Sequence, residues 1–145
     1  MRSRSIGFII FVLALVACSK DKFETKPSLK IKEVNTSDVQ PGEKLIVTLE
    51  YTDKEGDLAG GRVGVAKQVS NCPTSDFVDT VKYSISGDVP PTKNQKGQID
   101  ISLPYIFINP FCSFDDSAHF KFWITDKGGH QSDTVTTGLI IVRKS

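Results

Sequence analysis

The sequence predicts an all-β domain, folded as an antiparallel two-sheet sandwich of about seven strands. Apolar and polar residues alternate with a period of two in several short segments, which is typical of strands that bury one face. Clusters of Gly, Pro, Asn and Asp separate these segments. No stretch of about 10 to 15 residues has a helical pattern, so the prediction contains no long helix.

The predicted strands follow one another along the chain. The first begins near Leu29 and Ile31, and the others cover residues 44–51, 63–65, 81–85, 99–103, 120–124 and 134–142. Ile46 is the exception to the alternation in the second strand, because it falls on the polar face. Trp123 lies between Phe122 and Ile124, so it should face outward. An outward Trp123 is a candidate for stacking on a glycan or contacting a protein; the alternative is that it covers sheet surface.

The N-terminal segment has the order of a secretory signal peptide. Arg2 and Arg4 precede twelve uncharged residues, 6–17, which is too short a run to span a membrane as a helix. Residues 15–18, Leu-Val-Ala-Cys, resemble the lipobox of bacterial lipoproteins. That resemblance implies that Cys18 is lipidated and becomes the first residue of the mature protein. The alternative is an ordinary signal peptide cut near Ala17.

The lipobox resemblance implies a membrane partner and a location. Ser19 follows the anchor where an inner-membrane protein would have Asp, so the outer membrane is the expected destination, with the domain at the cell surface as one orientation. The predicted organisation is a signal peptide over 1–17, a lipidated tether over 18–27 and one domain over 28–145. Removing Arg2 and Arg4 from 18 Lys and Arg leaves 16 against 17 Asp and Glu, a balance that does not suggest nucleic acid as a partner.

Two Gly-containing segments carry a second resemblance. Residues 53–58, Asp-Lys-Glu-Gly-Asp-Leu, and 125–130, Thr-Asp-Lys-Gly-Gly-His, follow predicted strands. Together with the order of the seven predicted strands, these two segments resemble the immunoglobulin-like and fibronectin type III-like modules of bacterial surface lipoproteins. With Cys18 acylated, Cys72 and Cys112 form an even pair, and an oxidising compartment predicts a disulfide between them. Closing that loop contributes about 4 kcal/mol in the chain-entropy treatment.

Carboxylates are concentrated after the second and sixth predicted strands. The loops after these strands lie at one end of a seven-strand sandwich, so Asp53, Glu55, Asp57 and Asp126 are expected to converge. Four carboxylates with backbone carbonyls and water are a suitable ligand set for calcium. The alternative is that the aspartates shape Gly turns through hydrogen bonds to the backbone.

The run that follows Pro104 and includes Pro110 is unusually apolar. Six of the ten residues 105–114, among them Tyr105 and Phe107, are predicted either to form an exposed contact surface or to cap the sandwich. The preference of aromatic residues for burial favours the cap. Catalytic motifs are missing: His119 and His130 have no nucleophile elbow or metal-ligand spacing around them, so we do not predict an enzyme. The sequence predicts a binding or adhesion module of the envelope, or alternatively a non-catalytic subunit of a secretion or nutrient-uptake assembly.

Overall fold

The structure is a computed structural model that describes residues 25–81 and 92–145. The predicted signal peptide, Cys18 and most of the predicted tether lie outside the described residues, as do Tyr83 and Ile85 of the fourth predicted strand. In the part of the chain that is described, no helix is both long and apolar enough to cross a membrane.

The described residues form two packed sheets, which confirms the predicted β-sandwich. The smaller sheet consists of β1 (Ser28–Val34), β3 (Lys44–Asp53) and β6 (Gln95–Pro104). The larger sheet consists of β2 (Asp38–Val39), β4 (Arg62–Val69), β5 (Phe77–Val81), β7 (Asp116–Thr125), β8 (Val135–Thr136) and β9 (Ile140–Val142). A 3-10 turn (Pro73–Ser75) and a one-turn helix, α1 (Tyr105–Ile108), are the helical elements of the described ranges.

The strand pattern differs from the prediction in three places. β5 covers Phe77–Val81, whereas the strand predicted there covered 81–85. β2 is only two residues long and pairs with β9 in parallel, whereas every predicted pairing was antiparallel. The predicted last strand is divided into β8 and β9, because Thr137 turns inward. Its backbone N–H donates to the Phe120 carbonyl, and its hydroxyl accepts the Phe120 N–H. These two bonds anchor the break between β8 and β9 to β7.

Alternation along the strands builds the core. Inward residues of β3 and β7 are buried while their neighbours are partly or fully exposed. Leu45, Val47 and Leu49 of the smaller sheet pack in one cluster with Phe120 and Phe122 of the larger sheet, and all five are fully buried. Ile46 faces outward and is 36% exposed, in agreement with its predicted position.

The two ends of the sandwich differ in chemistry. At one end, here called the acidic end, Ser28 pairs with Thr52 beside the loop that follows Asp53, so the chain enters the domain there. At the other end, Lys44 pairs with Pro104, and residues 105–114 follow directly; this segment is called the aromatic loop. The ten residues of β3 span about 33 Å between the two ends.

Candidate functional site

The two acidic loops meet, as the sequence predicted. The backbone N–H of Lys127, after β7, donates to the carbonyl of Asp57, after β3, at 3.1 Å. The loop after β7 is closed by Asp126, whose backbone N–H donates to the carbonyl of His130 at 3.0 Å. The end of the sandwich therefore brings Asp57 and Asp126 into neighbouring loops.

Asp53 has a structural role that differs from the predicted one. Its side chain is buried, and its two carboxylate oxygens accept the backbone N–H groups of Glu55, Asp57 and Leu58 at 3.0 to 3.1 Å. These bonds satisfy the donors of the turn and hold Gly56 at a φ of +78°, which favours glycine. The geometry supports the turn-shaping alternative for Asp53 over the calcium-ligand prediction.

A smaller group at the acidic end has ligand chemistry. The donor atoms of Glu55, Asp126 and His130 lie within 4.8 Å of one another. His130 Nδ1 is 3.1 Å from Asp126 Oδ2 and 3.9 Å from Glu55 Oε2, so the imidazole bridges the two loops. Asp57 is not part of this group, although its Oδ1 is buried without a hydrogen-bond partner among the described residues. Glu55 and Asp126 were both predicted as ligands from the sequence, whereas His130 was not.

Trp123 lies on the outer face of the larger sheet, as alternation predicted. It pairs in register with Gly64 of β4. The indole lies over that glycine, since a Cβ built on Gly64 would be only 1.9 Å from Trp123 Cε2. Gly64 thus makes room for an aromatic ring on the sheet surface, and the Trp123 side chain is half-buried there.

The aromatic loop is exposed, and the expectation that it caps the sandwich is wrong for most of its large side chains. Ile106, Phe107 and Phe111 are 76%, 70% and 79% exposed. The single turn of α1 directs Ile108 into the core and leaves Ile106 and Phe107 facing solvent. Tyr105 is half-buried and donates its hydroxyl hydrogen to the Arg143 carbonyl at 2.7 Å, so its role is structural.

The backbone of the aromatic loop is fixed at several points. The predicted disulfide between Cys72 and Cys112 is present, with a Cα–Cα distance of 6.2 Å. The N–H of Phe111 donates to Ser75 Oγ at 2.8 Å, and Lys144 Nζ donates to the Pro110 carbonyl at 2.9 Å. The exposed apolar side chains therefore project from an ordered and covalently pinned segment.

An apolar groove continues from the aromatic loop between β5 and β6. Its volume is about 500 Å³. Phe107 and Val78 stand at its rim, and Val78 is 75% exposed. Val65, Phe77, Leu103 and Pro104 contribute to its lining. The groove extends the apolar surface along the side of the sandwich.

Sequence reasoning missed a buried ion pair beneath the aromatic loop. Lys67 Nζ is 2.5 Å from Asp116 Oδ2, and the two side chains are 1% and 0% exposed. The ammonium also donates to the Ile108 carbonyl at 2.7 Å. The only signal in the sequence is the inward position of Lys67 in the alternation of β4, between Val65 and Val69.

Comparisons with known proteins leave the family open. No known family profile and no curated protein matches the sequence. The fold resembles part of the sporulation control protein Spo0M of Bacillus subtilis, with a TM-score of 0.45, 10% identity and 83% of this chain covered. A β-glucosidase from Listeria innocua, solved with glucose, has a TM-score of 0.44 and 12% identity over 83% of this chain. This chain spans 50% of the length of the first protein and 16% of the second.

Proposed function

We propose that this protein is a lipid-anchored envelope protein whose sandwich is a binding module, and that the aromatic loop is its contact surface. The observation that carries the proposal is the exposure of Ile106, Phe107 and Phe111 on a segment pinned by a disulfide. Exposed apolar patches of ordered segments mark interaction sites, because leaving them in water has a free-energy cost. Aromatic anchors also dominate the binding energy of many protein interfaces.

The chain entry and the aromatic loop lie at opposite ends of the sandwich, and this arrangement supports an orientation of the loop relative to the membrane. The chain enters at the acidic end, where Lys26 Nζ contacts Asp133 Oδ1 at 2.8 Å. The aromatic loop is at the opposite end, about 33 Å away along β3. A lipid on Cys18 would hold the acidic end towards the bilayer, and the aromatic loop would then face away from it. We therefore propose a protein partner, not the anchoring membrane.

The anchor itself has a direct test. Cells expressing the full chain are labelled with radioactive palmitate, beside a Cys18→Ala variant. The proposal expects label on the unaltered protein, which fractionates with the outer membrane, and no label on the variant. An unlabelled protein released in soluble form would contradict the lipid anchor, whatever the aromatic loop binds.

The contact surface is tested by co-isolation from membranes solubilised in mild detergent. Phe107→Ser combined with Phe111→Ser should remove a specific partner, whereas Leu139→Ser, which alters an apolar residue 50% exposed on another loop, should not. Equal recovery of every associated protein with both variants would contradict the role of the aromatic loop. A partner present in fixed proportion in every preparation would favour the alternative, a structural subunit of an envelope assembly.

A second candidate function rests on Trp123. The half-buried indole over Gly64 lies on the same outer face of β7 as the polar side chains of Lys121 and Thr125. Such a surface suits stacking on the ring of a sugar, with hydrogen bonds from neighbouring polar groups. Titration calorimetry of the domain with cell-wall and polysaccharide fragments tests this, because its heat signal does not depend on the tryptophan. A binding response that persists in Trp123→Ala would contradict it.

A further inference from the structure

The buried pair of Lys67 and Asp116 is placed for a reaction between its own side chains. Lys67 lies on β4 and Asp116 at the start of β7, and both face the interior beneath the aromatic loop. Nζ and Oδ2 are in direct contact at 2.5 Å, which leaves no room for water between them. Within the described ranges, Asp116 Oδ1 is buried and has no hydrogen-bond partner.

We propose that Lys67 and Asp116 condense to form an amide cross-link between β4 and β7, so that this pair is a self-modification site. The reaction needs no external substrate, oxidant or reductant. It adds a covalent link close to the Cys72–Cys112 disulfide, and the two links together would clamp the base of the aromatic loop.

The dry surroundings favour the neutral product. Removing two ions from water has a large free-energy cost, and only good geometry and further hydrogen bonds offset that cost. Asp116 Oδ1 has no such bond among the described residues, so the ionised carboxylate is poorly compensated. An amide carries no charge, and its formation releases a water molecule from the core. Fixed contact between the two groups also removes most of the entropic barrier to the reaction.

The proton balance of the step is closed within the pair. One proton passes from the Lys67 ammonium to the Asp116 carboxylate, which gives an amine and a carboxylic acid. The nitrogen lone pair then attacks Cγ, and a carbon–nitrogen bond forms. A second amine proton joins the departing hydroxyl, a carbon–oxygen bond breaks, and water leaves. Burial lowers the pKa of Lys67, against the opposing hydrogen bond and charge of Asp116, so the neutral amine is easier to reach than on the surface.

The product fits the hydrogen bonds already present. The amide keeps one N–H on Nζ, and the Ile108 carbonyl lies 2.7 Å from that nitrogen to accept it. The Lys67 ammonium has three hydrogens, and the described contacts give it two acceptors, the Ile108 carbonyl and the Asp116 carboxylate. Condensation therefore removes both the surplus donor and the uncompensated charge.

Mass spectrometry tests the cross-link on the full chain as cells produce it. The intact masses of the unaltered protein and a Lys67→Arg variant are compared after reduction and denaturation. A lipid carried by both proteins contributes equally and does not affect the mass difference. If the cross-link forms, the variant should be heavier than the unaltered protein by the mass difference between Arg and Lys plus the mass of one water molecule. Lys121→Arg, on an outward position of β7, is the matched control and should show the plain difference relative to the unaltered protein.

Peptide sequencing locates the bond. A protease digest of the unaltered protein should contain one branched peptide that joins the Lys67 and Asp116 segments, and none in the variant. Separate, unlinked Lys67 and Asp116 peptides from the unaltered protein, with no branched peptide, would overturn the proposal. A water loss mapped to another position would overturn it equally. Because the branched peptide is sought in the unaltered protein, poor folding of a variant does not affect this second measurement.

Discussion

The indole of Trp123 occupies the space above Gly64 that the Cβ of any other residue would need. The nearest ring atom, Cε2, would be 1.9 Å from such a Cβ, and two other ring atoms would be within 2.3 Å. This pairing across β4 and β7 fixes the orientation of the only tryptophan in the chain. Its fluorescence therefore reports on this one position of the outer sheet face.

Gly64→Ala should displace the indole and destabilise the domain. The added methyl group overlaps the ring, and overpacking of this kind costs about 1 to 3 kcal/mol. The expected result is a lower thermal midpoint together with a red-shifted Trp emission. Gly138→Ala is the control, because a Cβ there meets nothing within 4 Å and should leave both readings unchanged. An unshifted emission in Gly64→Ala would contradict the described stacking.

Asp53→Ala should weaken the domain through the turn at the acidic end. Three backbone N–H groups lose their acceptor, and an unsatisfied buried donor costs about 1 to 3 kcal/mol. Chemical denaturation should show a lower free energy of unfolding. Asp79→Ala removes an exposed carboxylate of β5 and should have little effect. Equal stabilities of the two variants would contradict the turn-shaping role of Asp53.

Calcium should not raise the thermal midpoint of the domain. Asp53 accepts hydrogen bonds from the backbone, and within the described residues the group with donor atoms inside 4.8 Å consists of Glu55, Asp126 and the imidazole of His130. Calcium prefers six to eight oxygen ligands, whereas an imidazole with carboxylates suits zinc. Unfolding scans with calcium, zinc and a chelator compare the two ions. A calcium-dependent rise of several degrees would restore the calcium prediction for the acidic end.

Arg143 should contribute stability that disappears in acid. Its guanidinium hydrogen-bonds Asp38 and lowers the pKa of that carboxyl below the usual 3.8. The Lys144 N–H and then Arg143 lower the pKa of Asp115 in the same way. A depressed folded-state pKa gives stability that is present above pH 3.8 and is lost as the pH falls through the lower folded-state values.

The measurement is the difference in stability between the unaltered domain and Arg143→Met as a function of pH. The difference should be largest near neutral pH and should shrink below pH 3.8, where both carboxylates become protonated. High salt should reduce it as well, because these groups lie at the surface. A difference that stays constant from neutral to strongly acidic pH would show that Arg143 acts through packing alone.

Replacing Cys72 and Cys112 by serine should lower the free energy of unfolding by about 4 kcal/mol, because a 40-residue separation is no longer closed in the unfolded chain. Hydrogen exchange should rise at Phe111 and Ile108, since the base of the aromatic loop loses its covalent link. Exchange unchanged from the oxidised protein would mean that the hydrogen bonds of Ser75 and Lys144 suffice to hold the loop.

The sequence was sufficient for the direction of strand side chains and for the Cys72–Cys112 disulfide, and insufficient for the exposure of Phe107 and the burial of Lys67. Alternation placed Trp123 and Ile46 outward, because neighbours in a strand decide which face a side chain takes. The exposure of Phe107 depends on one helical turn after Pro104, and four residues are too few for a periodic signal. A buried Lys67 is tolerated only because Asp116 lies opposite it in the fold, and a separation of 49 residues gives no local sign of that partner.

The most direct test of the binding-surface proposal places a photo-activated cross-linking amino acid at position 111 and, as control, at position 139. Both positions carry exposed apolar residues, Phe111 at 79% and Leu139 at 50%, so access to the probe is comparable. Irradiation of living cells should join a specific envelope protein to position 111 and not to position 139. The same products at both positions, or none at position 111, would contradict the claim that the aromatic loop is the binding surface of this protein.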